Sequence, residues 1–311
     1  MSLAQSRRRA RPSVEWPTLA LLTATYAAWL AITAFSANLG PGLAIPLLAI
    51  PLAQHSSLQH EALHGHPFRD QRWNDALVFP ALGLFLPYQR FRDTHLAHHH
   101  DPNLTDPYDD PETNYLDPVV WSRLAPPLRA LLTANNTLLG RLVLGPFIGL
   151  ACFVADDSAA IRAGDRAVAR AWLLHLAGTL PVILWLATIG TMPVWAYLAA
   201  CWLALSILRI RTFLEHRAEE RHGARSVIIE DRGPLALLFL NNNLHAVHHA
   251  HPGLAWYRLP GEYARRRDEF LRRNGGYRYR SYAEVFRRHF LSRKDPVPHP
   301  LYPTTPPQPG E

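Results

Sequence analysis

Apolar residues along this chain fall into a few long blocks separated by polar, charged stretches. Residues 18–37 (TLALLTATYAAWLAITAFSA) form one such block, about the 20 residues that a helix needs to cross a bilayer. A short uncharged turn, S-A-N-L-G-P-G, follows. A second apolar helix starts near Gly42, passes Pro46 and Pro51, and becomes polar at Gln54, which predicts a span over 42–58. Residues 170–189 and 193–213, joined by G-T-M-P, predict two more. Two shorter apolar runs, 76–88 and 142–155, fall short of a spanning length and predict interfacial or re-entrant pieces. Residues 256–292 mix Arg with aromatics and predict surface helices lying on a membrane.

Charge orients these spans. Arg7, Arg8, Arg9 and Arg11 lie in a basic tail, residues 1–16. A signal peptide is disfavoured, because the apolar run behind them is long enough to span and no small-residue cleavage site follows. Arg162, Arg166 and Arg170 precede the third span, and Arg209, Arg211 and Arg217 close the fourth. Positive residues stay on the cytoplasmic side, so four spans with both termini inside result. One membrane domain is expected over 17–294, with a Pro-rich disordered tail over 295–311.

The net charge of +7 suits anionic lipid headgroups or an acidic partner protein. The basic residues flank apolar blocks and match no nucleic-acid module, so nucleic-acid binding is excluded. Cys152 and Cys201 both lie in apolar runs and supply neither a disulfide framework nor a thiolate metal site. Seventeen histidines are the outlier.

Those histidines cluster. His60-Glu61-Ala-Leu-His64 reads H-E-x-x-H, the signature in which two histidines hold zinc and the Glu is a general base. His95-Leu-Ala-His98-His99 and His245-Ala-Val-His248-His249 both read H-x-x-H-H. Positions i, i+3 and i+4 share a helix face, so each of the latter is expected to aim three imidazoles at one point. If neither short apolar run crosses the membrane, all three clusters reach one side, where His216, just past the fourth span, is a ninth candidate. That set is too large for one zinc and suits two ions with four or five nitrogens each; spacing alone does not choose the metal. Glu61 is then a general base or an acceptor that orients an imidazole. Asp93, Asp101 and Glu215 are further candidates for that second task. His55, His66, His100 and His251 are adjacent extras, whereas His175, His222, His289 and His299 are expected to be solvated. The acidic run 101–112 reads as a Pro-punctuated turn region rather than a calcium loop. Two E-x-x-H pairs, at Glu61 and Glu219, would suit a carboxylate-rich di-iron bundle, but that leaves both H-x-x-H-H clusters idle. A metal transporter would place ionisable groups within the spans, and 171–208 holds only His175.

In their order and setting, H-x-x-x-H, H-x-x-H-H and H-x-x-H-H resemble the membrane fatty acid desaturase and hydroxylase superfamily. T-H-L-A-H-H-H-D-P-N is similar to the surroundings of that family's second box, and H-H-A-H-P-G-L-A-W-Y-R-L-P to the segment after its third. R-T-F-L-E-H-R with N-N-N-L-H-A-V-H-H resembles bacterial hydrocarbon or rhizopine oxygenases most. The resemblance implies an all-α integral membrane protein. Four transmembrane helices and interfacial helices would carry a cytoplasmic helical cap around a di-iron site. Two iron ions would be held by His60, His64, His95, His98, His99, His216, His245, His248 and His249, with Glu61 and Glu215 in support. O2 would be co-substrate for desaturation or hydroxylation of an unactivated C–H bond, most naturally on a fatty acyl or other lipid chain; a small metabolite is the alternative. Some members carry an Asn four residues before the histidine matched by His216; here Thr212 stands there. No fused cytochrome b5 domain is expected, and electrons are expected from a separate ferredoxin or rubredoxin with its reductase. A bacterial inner membrane, with metal site and termini cytoplasmic, is the expected location.

Overall fold

The computed structural model describes residues 14–101 and 103–302. The arginines of the basic tail and the end of the Pro-rich tail, 303–311, lie outside them. Helix α1 (Trp16–Ala34) carries Pro17 in its first turn and is followed by one turn, α2 (Ser36–Leu39). Gly40, at φ +70°, takes the left-handed geometry that reverses the chain into α3 (Pro41–Leu63). After α4 (Gln71–Leu77) and α5 (Tyr88–His100) come three short helices, α6 (Pro118–Arg123), α7 (Pro126–Asn135) and α8 (Leu138–Val143). Three long ones follow: α9 (Gly145–Arg162), α10 (Arg166–Thr188) and α11 (Val194–Thr212). The rest is α12 (Pro234–Leu238), α13 (His245–Ala250), α14 (Leu259–Arg273) and α15 (Tyr282–His289). One short parallel pair, β1 (Ile228–Ile229) with β2 (Arg278–Tyr279), stitches the C-terminal third together.

Among the described residues three helices, α1, α10 and α11, are long and apolar enough to cross a membrane. On α10 the apolar residues Leu173, Leu176, Leu180, Ile183 and Leu184 are all exposed. At spacings of three and four they form one stripe, as a lipid-facing helix requires. The expected second span, 42–58, is the first part of α3. That helix differs because it is central: α1 and α11 both pack on it. Small residues make the approach close, with Ala49, Ala53, Ala200 and Ala204 all buried in one cluster with Trp29, Leu48 and Tyr197. Shielded by its neighbours, α3 carries Gln54, His55, Ser57 and His60 buried in its second half.

The run 76–88 leaves the helical conformation after α4 and threads between α10 and α11. Ala81 N–H bonds the Gly178 carbonyl (2.9 Å), and the Leu82 carbonyl accepts from Tyr197 Oη (2.7 Å). Backbone of this kind is tolerated at membrane depth only when packed protein satisfies its polar groups. His175 does part of this: it is buried, with Nε2 bonded to the Leu84 carbonyl (2.8 Å), so the expectation of a solvated residue was wrong. The run 142–155 starts at the end of α8 and continues as the first part of α9, which extends to Arg162 with Asp157 sequestered: Arg90 Nε (3.0 Å) and Trp172 Nε1 (2.8 Å) both donate to it.

The Pro-rich segment is ordered where described. Leu116 N–H bonds the Val297 carbonyl and His299 N–H the Leu116 carbonyl. Asp295 accepts from Tyr115 and Asn136. Disorder expected from composition is overridden here by a strand-like bridge, Leu116 to Pro298. His299 is buried, facing Thr105 Oγ1 at 3.2 Å, so it too is not solvated. His289 bonds Tyr279 Oη (2.8 Å), and His222 is exposed as expected.

Candidate metal centre

The C-terminal ends of α3 and α11 reach the same end of the bundle. His60 sits on the last turn of α3 and His64 caps it. His216 follows α11 and is held by a bridge to Ser226. Helix α5 brings His95, His98 and His99, and α13 brings His245, His248 and His249. Before α13, Leu240 and Asn241, the first residue of the N-N-N turn, take positive φ (51° and 55°), and Asn242 Oδ1 then meets His245 Nδ1.

All nine histidines gather, in two groups. His60, His64, His95, His99 and His248 form the first, and His98, His216, His245 and His249 the second; within each, the ligand atoms lie within 4.8 Å of one another. The expectation that each H-x-x-H-H run aims at one point is therefore corrected. A helix turns about 100° per residue, so i+4 lies about 40° to one side of i and i+3 about 60° to the other. The i, i+4 pairs stay together: His60 with His64, His95 with His99, His245 with His249. The i+3 residues, His98 and His248, cross to the opposite group.

The rings share one polarity. Nε2 atoms face inward: His98 to His216 is 2.9 Å, His245 to His216 3.0 Å, His95 to His99 3.1 Å and His99 to His248 3.0 Å. Nδ1 atoms face outward, to Glu112 from His95 (2.9 Å), Asp110 from His98 (2.7 Å), Asn242 from His245 (3.1 Å) and Ser226 from His216 (3.2 Å). A neutral imidazole has one N–H. Spent on a carboxylate, it leaves an inward lone pair against another lone pair about 3 Å away. The Nε2 atoms of His60, His64 and His249 are buried with no hydrogen-bond partner among the described residues. A cation at the focus of each group resolves both problems, and outer carboxylates that fix ring and tautomer are what metal-binding histidines use. The residues present therefore fit two metal ions.

Electrostatics oppose protonation of His60, His64, His99, His216, His245, His248 and His249. Burial first, then neighbouring imidazoles, lower the pKa of His64 to about 2 and of His99 to about 3. The same causes hold His216, His245, His248 and His249 well below the usual value. His98 goes the other way: burial opposes protonation, but the Asp110 hydrogen bond and the charge of Glu112 outweigh it. For Glu112, burial is outweighed by His95, and its pKa is held well below the carboxylate range.

Asp110 and Glu112 come from the acidic run read as a simple turn region. Its place directly after the second box was the available signal for their role. Glu215 accepts from Asn242 Nδ2 (2.9 Å) and stands 3.8 Å from His245 Nδ1, so it supports that ring through an amide. Glu61 accepts the Trp256 N–H (2.9 Å) and lies 3.9 Å from His66 Nε2; it fastens the segment after the third box to α3. His66 in turn meets Glu15 (2.7 Å). Of the other extras, His55 meets Tyr26, His100 the Leu96 carbonyl and His251 Arg266. Asp93 pairs with Arg92, and Thr212 Oγ1 is buried with no partner among the described residues.

Residues 36–281 match the family model described as fatty acid desaturase. A β-carotene ketolase of Paracoccus sp. (strain PC1) is 30% identical over 261 residues, covering 78% of this chain and 90% of that protein. Together with the apolar helices and the histidine groups, these matches make the protein a membrane oxidoreductase, and the chain belongs to the fatty acid desaturase family.

Proposed function

We propose that this protein is an O2-dependent, non-haem di-iron membrane enzyme that desaturates or hydroxylates an unactivated C–H bond of a fatty acyl or other lipid or hydrocarbon chain. The observation that carries this reading is the partition of nine inward-facing imidazoles into groups of five and four, at the end of a bundle with a lipid-facing surface. Iron is the metal of this family, and the relative named for β-carotene favours an apolar substrate. His60, His64, His95, His99 and His248 would hold one iron, and His98, His216, His245 and His249 the other. Iron bound there would supply O2 activation and hydrogen removal from carbon. The chain's own residues do the rest. Asp110 and Glu112 hold the Nδ1 protons of His98 and His95, so that Nε2 faces the metals. Glu215, through Asn242, does this for His245, and Glu61 keeps Trp256 against α3. Burial of the cage keeps bulk water from the reacting carbon.

The topology we propose has four spans, with α3 as the second, in a bacterial inner membrane with termini and metal centre cytoplasmic. Electrons come from a separate ferredoxin or rubredoxin with its reductase. A basic face suits such an acidic partner: Arg217, Arg278 and Arg288 line a cavity of about 330 Å³ that Asp295 also borders, and behind them the buried Lys294 donates from Nζ to the His216 carbonyl (2.9 Å).

Metal analysis after expression in iron-replete cells tests the centre, with about two irons per chain and little zinc expected. One zinc per chain with proteolysis that depends on Glu61 would overturn it in favour of a zinc protease. Mass spectrometry of products, from membranes supplied with reductant and candidate substrates, tests the reaction. Loss of two hydrogens from a lipid chain marks desaturation and gain of one oxygen hydroxylation. Turnover of a small polar metabolite alone would refute the lipid assignment.

A further inference from the structure

The cage is closed on most sides. His60, His95, His98, His245 and His248 are each 4% exposed or less. Metal ions have to reach it, and a credible metal site needs an entry path as well as ligands. One opening touches both groups at once. A cavity of about 100 Å³ lies between the end of α5, the turn His222–Ala224, α13 and α14, and His99 of the first group and His249 of the second both line it.

Its wall is furnished for a cation. Asp101 and Asn274 line it, and each carries a buried oxygen, Oδ2 and Oδ1, with no hydrogen-bond partner among the described residues. The exposed imidazole of His222 lines it too. A hydrated divalent ion entering here would exchange water for carboxylate, amide and imidazole donors before it met His99 and His249. Opposing it is Arg273, which lies across Gly223: a Cβ on that glycine would come within 3.2 Å of the Arg273 side chain. We infer that this cavity is the port through which divalent metal ions enter and leave the histidine cage, with Asp101, His222 and Asn274 as transit donors and Arg273 as a barrier. The inference rests on the metal-binding reading above.

The port is tested by kinetics of metal uptake. Full-length protein in detergent is stripped of metal and mixed with Co(II), whose visible absorption reports histidine ligation. Asp101→Asn is expected to slow uptake about tenfold, the low end of what a charged cleft does for ion capture. His222→Trp, at an exposed position where folding is safe, narrows the mouth and is also expected to slow it. Arg273→Ala is expected to speed it. All three should reach the wild-type metal content at equilibrium. Rates for all three within about twofold of wild type, less than the effect expected of local charge, would overturn the port and leave the metal centre standing. Wild-type protein that takes up no Co(II) would sink the metal-centre reading, and the port with it.

Discussion

Asp110 and Glu112 sit two residues apart but bond histidines of different groups, His98 and His95, so their substitution should produce different losses. The Asp110 side chain is 1% exposed. Its oxygens accept from His98 Nδ1 (2.7 Å), Thr105 N–H (2.8 Å) and Glu112 N–H (2.9 Å). Asp110→Asn keeps the volume but turns one acceptor into a donor. That donor faces either the His98 N–H or a backbone N–H, and leaving one buried donor unmet costs about 1–3 kcal/mol. Losing the outer partner of a ligand histidine costs about 10–100-fold in metal affinity, which is about 1.4–2.8 kcal/mol. The two figures agree, so metal in the second group should weaken by one to two orders of magnitude. Glu112, with 29% of its side chain exposed, has water as a substitute, and Glu112→Gln should weaken the first group by less. Metal content after dialysis against graded chelator, and Co(II) titration of stripped protein, measure both. In Asp110→Asn one metal should leave at lower chelator than the other. Simultaneous loss of both, or wild-type retention, would refute the assignment of Asp110 to a single group.

Three other outcomes are expected. His98→Ala and His248→Ala, at the two histidines that cross between groups, should each abolish turnover while the protein still inserts into membranes; near-normal activity in either would contradict the cage. Metal-free protein should lose stability as pH falls below about 6.5, the unfolded histidine value. The unfolded chain then binds protons that His64 and His99, with pKa lowered to about 2 and 3, refuse in the fold. His98 pulls the other way but is outnumbered, so melting in detergent from pH 8 to 5 should show a falling midpoint, and a flat or rising one would count against neutral burial. Finally, Gly178→Ala would place a Cβ 2.6 Å from the Phe79 carbonyl, forcing α10 off the loop over 76–88. A loss of about 1–3 kcal/mol is expected, read as a lower melting temperature, and an unchanged one would show that the loop does not pack as described.

Much was legible in the sequence because it depends on local pattern. Apolar blocks of spanning length gave α1, α10 and α11, since a lipid-facing helix must be apolar wherever it is exposed. The histidine spacings gave the ligand candidates, because helical period fixes which rings lie near one another. Family membership followed from the order of the three boxes.

The rest depended on neighbours distant along the chain. The burial that lets α3 carry polar residues comes from α1 and α11 packed around it. The ordered segment 295–302 was hidden because its partner, Leu116, lies far away in sequence. Asp110 and Glu112 looked like turn residues, since a loop's composition does not say which ring it folds back upon. The division of the cage was also tertiary. Helical period alone puts His95, His98 and His99 on one broad helix face. The placement of α5 and α13 against α3 and His216 makes His98 and His248 lean across to the opposite group, because an arc of about 100° between i+3 and i+4 is wide enough to reach two groups once histidines from other elements stand on either side.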